Sequence, residues 1–273
     1  MSIAFRLFAV HHQLTGCIEK IWSFESSCRL PGDDLKLIVP NGRPLLLIPY
    51  RNGMIGKMGG KQYVSVENKI TLTGICDMSA LVDSQTDSAT GSIGIEFSPL
   101  GLYRFFHIYL KEIKNDLNYL TDILGDSVKS IEQQIADTES IENKVKLIQE
   151  YLLSLFKKKE EDTLFGYCIQ QIESSYGSIN IKQLEKLTGY SSRWLNLKFE
   201  EKLGMSPKNF SSIIRFQNYY KAIISDNYQF RIKRPYYNQY YDESHFIKDF
   251  KRFTGMPPSK LMESRNAFGK LFY

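Results

Sequence analysis

Residues 191–202 read SSRWLNLKFEEK, and this stretch decides how the second half of the chain is read. Leu195, Phe199 and Leu203 recur every four residues, a spacing that lays one apolar stripe along a helix. Ser192, Arg193, Asn196 and Lys202 are expected on the other faces, turned toward a polar partner. Ser191 is a good N-cap, because its hydroxyl accepts from an orphan amide of the first turn. Gly204 is a good stop, since glycine adopts the left-handed conformation without a steric penalty. Just upstream, Asn180 and Gln183 have the spacing of a capping box over a helix at 181–188, which Gly189 ends. Two short helices joined by a brief glycine-containing turn form a helix-turn-helix, whose second helix enters the major groove of DNA.

Downstream, Ser206 and Pro207 open a long helix to about residue 224. Its roughly 18 residues span about 27 Å, approaching the ~34 Å turn of B-DNA. The pattern Leu195-x3-Phe199-x4-Gly204-Met205-x-Pro207 then recurs as Phe246-x3-Phe250-x4-Gly255-Met256-x-Pro258, every position displaced by 51. A second recognition helix is therefore expected over 242–254, with Phe246, Phe250 and Phe253 inward and Lys248, Lys251 and Arg252 as its charge. Two such helices on one spacer suit two successive major-groove segments.

Charge divides along the same line. Residues 1–164 sum to −3 and residues 165–273 to +8, giving the overall +5. A basic module beside a mildly acidic one is the footprint of phosphate binding. The charge run 157–162 is the expected boundary, dividing the chain into a domain at 1–160 and a domain at 163–273. In the first, short apolar runs at 18–24, 35–39, 45–50, 63–66, 69–75 and 92–97 predict a β-sandwich or barrel of about six to eight strands. Pro40-Asn41-Gly42-Arg43-Pro44 is expected to turn between two of them, and the glycine-rich 54–60 to contain another turn. Helices follow from Ser98-Pro99 to about 110, at 127–136 and at 141–156. The apolar stripe of the last is read as packing on its own domain, with a dimer-forming helix as the alternative. The fold class is α+β: a β-rich sandwich or barrel with trailing helices, then an all-α double helix-turn-helix.

Residues 165–262 resemble the DNA-binding domain of the AraC/XylS family of bacterial transcription regulators. The resemblance is carried by Tyr241-Asp242-Glu243-Ser244-His245-Phe246 and by Phe250-Lys251-Arg252-Phe253-Thr254-Gly255-Met256-Pro257-Pro258. Residues 1–160 resemble the N-terminal domain of some Bacteroidetes-type members through the 40–44 turn and Phe97-Ser98-Pro99-Leu100-Gly101. The resemblance implies that Ser192, Arg193, Asn196 and Leu197 meet the groove, with Ser191, Lys198 and Lys202 beside them. Asparagine suits adenine and arginine suits guanine, each bidentately. Leu197 stands where the family commonly has a basic residue, and an aliphatic side chain meets a thymine methyl instead. In the second motif Asp242, Glu243, Ser244, Lys248, Lys251 and Arg252 would contact DNA. Its bracing helix departs from the family: Pro235 falls within it, and Gln239 replaces the usual glycine. Arg231, Lys233 and Arg234 there are candidate phosphate contacts. The resemblance further implies an N-terminal domain that senses a small-molecule effector, forms a homodimer, or both, and RNA polymerase as a partner.

No stretch reads as a membrane span or signal peptide, so a cytoplasmic protein is expected. Cys17, Cys28, Cys76 and Cys168 lack the pairing of a zinc site. His11-His12 has no accompanying nucleophile, metal spacing or phosphate loop, so neither an enzyme nor a cofactor is expected. The competing reading is a degenerate regulator that binds a partner protein and DNA only weakly, for which Pro235 and Leu197 speak.

Overall fold

The computed structural model describes residues 3–106, 108–156, 163–224, 240 and 243–273. The first half contains two antiparallel sheets. The larger joins β1 (Ile3–Phe8), β2 (Ile18–Ser26), β9 (Thr90–Phe97), β4 (Leu45–Arg51), β7 (Thr71–Thr73) and β10 (Asn118–Tyr119), in that order. The smaller joins β3 (Leu37–Ile38), β8 (Ala80–Ser84), β5 (Met54–Met58) and β6 (Lys61–Val64). Side chains alternate across the larger sheet, as strand geometry requires. Leu45 and Leu47 face the smaller sheet, while Leu46 and Ile48 join the core on the other side. That side is covered by α3 (Ser127–Asp137) and α4 (Ile141–Leu155). Burial on both faces explains the unbroken apolar run at 45–48. It also settles the stripe of α4: Val145, Ile148 and Leu152 are buried against their own sheet. Opposite Trp22, Gly94 leaves room for the indole, since a Cβ there would lie 2.1 Å from the ring.

Two turns fall where the sequence puts them, and the helix after them is corrected. The 40–44 turn does not close a hairpin, because β3 pairs with β8 whereas β4 pairs with β7 and β9. Proline on either side of the turn lacks the amide that a hairpin ladder needs, and the chain crosses between sheets. The 54–60 segment is mostly strand, with only Gly59 and Gly60 turning at positive φ. The helix after Pro99 is short: α1 spans Gly101–Phe105, and Phe106 is extended at φ −118, ψ 132. That break puts Phe105 and Phe106, adjacent in sequence, into one core. A further short helix, α2, covers Leu120–Leu124.

The second half is helical: α5 (Thr163–Ser174), α6 (Ile181–Thr188), α7 (Ser192–Leu203), α8 (Pro207–Ile224), α9 (Glu243–Thr254), α10 (Pro258–Glu263) and α11 (Ala267–Lys270). Leu195, Phe199 and Leu203 join Phe210, Phe216, Phe246, Phe250 and Phe253 in one core. Leu37, Val39 and Ile75 of the β-rich half belong to the same core, so the two halves are packed on each other. Gly42 rests on α8, where an added Cβ would lie 3.3 Å from Ile214. Arg43 is paired with Glu19 of β2 at 2.6 Å and with Glu173 of α5 at 2.8 Å. Burial opposes its charge, but the two carboxylates outweigh that and raise its pKa. Among the described residues no helix is long and apolar enough to cross a membrane.

Candidate nucleic-acid interface

The first helix-turn-helix is α6 and α7. Asn180 and Gln183 form the reciprocal capping box that their spacing requires, and Gly189 ends α6 at φ 74. The Ser191 hydroxyl accepts from the Trp194 amide at 3.3 Å, and Gly204 ends α7 at φ 72. Glu185 of α6 accepts from the Ser192 amide, tying the bracing helix to the start of α7. That bond lowers the Glu185 pKa. With Leu195, Phe199 and Leu203 inward, Ser191, Arg193, Asn196 and Leu197 are exposed, Leu197 at 63%. The Asn196 amide donates to the Ser192 carbonyl at 2.8 Å. A carboxamide carries two N–H donors and a carbonyl acceptor, so this bond leaves a donor–acceptor pair on the exposed side chain. Tyr190 stacks on Trp194 at 4.1 Å beside this surface. Ser192 and Lys198 are half-buried, and Lys198 pairs with Glu201 at 2.7 Å.

Lys202 is a correction. It is buried, with its ammonium 5.3 Å from the Tyr103 ring and 5.4 Å from the Phe165 ring. Helical periodicity explains this, because position 202 lies seven residues beyond Leu195 and three beyond Phe199, on the buried stripe. It makes a cation–π contact to the β-rich half through α1.

In α9, Phe246, Phe250 and Phe253 are buried, while Glu243, Ser244, Lys248, Lys251 and Arg252 are exposed. Gly255 follows at φ 77. Asp242, Arg231, Lys233, Arg234 and Pro235 lie outside the described residues. Sequence reading overlooked Asp249, which is buried with Arg215 and His245 each 3.9 Å away.

Arg252 does not face an empty surface. Its guanidinium is 3.1 Å from Asp77 of the β-rich half and also donates to Asn209 of α8. Asp77 accepts from Asn209 at 2.6 Å and from Asn115 at 2.6 Å, and pairs with Lys114 at 2.8 Å. Burial opposes its ionisation, yet hydrogen bonds from Lys114, Asn115 and Asn209 prevail and hold its carboxyl at about 2. A lone aspartate in a loop carries no sequence signal for this role.

A second feature without a sequence signal lies between the sheets. An apolar cavity of ≈ 210 Å³ is walled by residues of both sheets and by Phe268, Phe272 and Tyr273 from the end of the chain. Burial pushes the Cys76 thiol in its wall up to about 12, so that wall is uncharged there. Among the described residues no cluster of His, Cys, Asp or Glu is arranged to hold a metal ion.

No protein-family profile matches this chain, and no curated protein gives a significant match. The fold, in contrast, has solved counterparts. The chain is similar to ToxT from Vibrio cholerae at a TM-score of 0.50 and 13% identity, over 88% of this chain and 98% of that one. A ToxT structure with an unsaturated fatty acid bound is similar at 0.47 and 14% identity, over 90% and 96%. The first of these likenesses extends over both halves and shows a shared fold: a β-rich first part and a helical second part in one chain.

Proposed function

We propose that this protein is a sequence-specific, DNA-binding transcription regulator of the AraC/XylS type. The observation that carries the reading is α7: capped at both ends, held to α6 through Glu185, and exposing Ser191, Arg193, Asn196 and Leu197 together. The 51-residue repeat, the charge of +8 on residues 165–273 and the fold shared with ToxT support it. In this reading phosphate contacts set position and base contacts set sequence. Arg193, Asn196 and Leu197 of the first motif, and Glu243, Ser244 and Lys248 of the second, meet base edges. Lys251 and Arg252 meet phosphate. Residues 163–273 form the DNA-binding domain, and residues 1–160 the domain that responds to a small-molecule effector. RNA polymerase and a second copy of this chain are its further partners.

The test is selection of bound sites from random duplexes by the full chain, then affinity for the selected site and a scrambled one. Arg193→Ala is expected to lose roughly 1–3 kcal/mol of discrimination between them. Unchanged discrimination would remove Arg193 from the reading surface.

A second reading is a regulator that acts through a protein partner. Leu187, Tyr190 and Leu197 are exposed at 50%, 42% and 63% on the first motif, an apolar surface that a protein would also cover. The two readings separate on sequence: preference for the selected site over the scrambled one belongs to the first alone, because non-specific binding also falls with salt.

A further inference from the structure

A double helix-turn-helix needs nothing after its last helix, yet residues 266–273 run on into the β-sandwich and are clamped there. The Asp34 carboxylate accepts from the Ala267 amide at 2.6 Å and from the Phe268 amide at 3.0 Å. Asn266 exchanges two hydrogen bonds with the backbone of Leu37, at 2.8 and 2.9 Å. Lys20 donates to the Phe272 carbonyl at 2.7 Å, and the Tyr273 hydroxyl donates to that of Val39. Phe272 sets its ring against Trp22 at 4.9 Å and Phe5 at 5.6 Å, and Phe268 packs on Phe24 at 5.0 Å. Gly269 passes so close to Leu37 that a Cβ would lie 2.2 Å from the Leu37 carbonyl oxygen.

Behind these aromatic rings lies the ≈ 210 Å³ cavity. An apolar cavity of about 150 Å³ accepts benzene, whereas sites for drug-sized ligands begin near 300 Å³. The space therefore fits one ring with a short substituent and excludes a long acyl chain while the segment is seated. One polar group in the wall is distinctive. The Glu96 carboxylate, 5% exposed, takes Trp22 and Lys20 on one oxygen and Asn41 on the other, each at 3.1 Å. Two carboxylate oxygens offer about four acceptor directions, so one more donor is accommodated.

We propose that this cavity binds one compact, ring-sized apolar molecule with a single hydrogen-bond donor for Glu96, and that residues 266–273 are a wall of the site. The proposal rests on reading the β-rich half as effector-binding. Because the segment directly follows α10, filling the cavity holds the second helix-turn-helix against the sandwich. Ligand and domain seating are then linked, each favouring the other.

Trp22 in the wall reports the test, and Trp194→Phe leaves it as the single tryptophan. The full chain is titrated with para-cresol, para-xylene and palmitate, following Trp22 emission. Para-cresol is expected to bind saturably, para-xylene more weakly for want of a donor, and palmitate not at all. Asp34→Ala, which unclamps the segment without lining the cavity, is expected to weaken para-cresol by about tenfold or more. Ala80→Leu fills the cavity with the segment still seated and is expected to abolish binding; it keeps the question answerable should Asp34→Ala unfold. Equal or tighter para-cresol binding in Asp34→Ala, undiminished binding in Ala80→Leu, or a preference for palmitate overturns the proposal. So does the absence of para-cresol binding, and the DNA-binding reading then stands on its own assay. Binding with no change in DNA affinity would instead sink the effector reading and leave the site in place.

Discussion

The sequence marks both Lys202 and Lys251 as DNA contacts, and the fold gives them opposite situations. Lys251 is exposed on α9, whereas Lys202 lies beneath the Tyr103 and Phe165 rings. Replacing Lys251 with alanine is expected to weaken binding to all duplexes alike and to reduce the slope of log affinity against log salt by about 1. Lys202→Gln is expected to leave that slope unchanged and to lower thermal stability instead, as the cation–π contact is lost. A salt titration of the two variants side by side distinguishes them; equal changes in slope would return Lys202 to the DNA surface. The burial of Lys202 was in principle legible, since its position on the Leu195–Phe199 stripe follows from periodicity alone. What obscured it was residue type, because lysine is seldom buried.

At the scale of elements, what could be read from sequence was local. The caps Asn180, Ser191 and Ser206 and the stops Gly189 and Gly204 act within one turn of their helices, and each is where the pattern puts it. Features that depend on distant partners escaped. β1 was missed because it is an edge strand, and its burial does not alternate. β8 was missed because only Ser84 of its five residues is fully buried. The 40–44 turn was recognised as a turn, but its destination was not, since Gly42 is placed by Ile214 and Phe210 from far along the chain. Its positive φ of 75 and that tight contact act together. Gly42→Ala is therefore expected to destabilise the protein by about 1–2 kcal/mol or somewhat more, read as a lower urea midpoint. An unchanged midpoint would mean that the turn is not held against α8. The terminal Phe268, Phe272 and Tyr273 gave no periodic signal, and Asp34, which clamps their segment, lies 233 residues before Ala267.

Across the whole molecule, Asp77 holds Arg252, and in the proposed reading it competes with DNA for that side chain. Its carboxyl sits at about 2 rather than 3.8, so the contact is fully present above pH 4 or so and is lost as pH falls toward 2. The depressed value corresponds to roughly 2 kcal/mol at neutral pH. Asp77→Asn is expected to release Arg252, strengthening DNA binding several-fold and steepening its salt slope by about 1. It should also lower thermal stability at pH 7 but not near pH 2. Weaker DNA binding in this variant would show that Asp77 positions Arg252 for phosphate. The seating of residues 266–273 has a mechanical consequence as well. Residues 266–273 tie the far end of the helical half to the sandwich, beside the Arg43–Glu173 and Asp77–Arg252 pairs and the shared core. Contacts spread along the seam in this way act in parallel, so turning α7 or α9 against the sandwich requires several of them to part together.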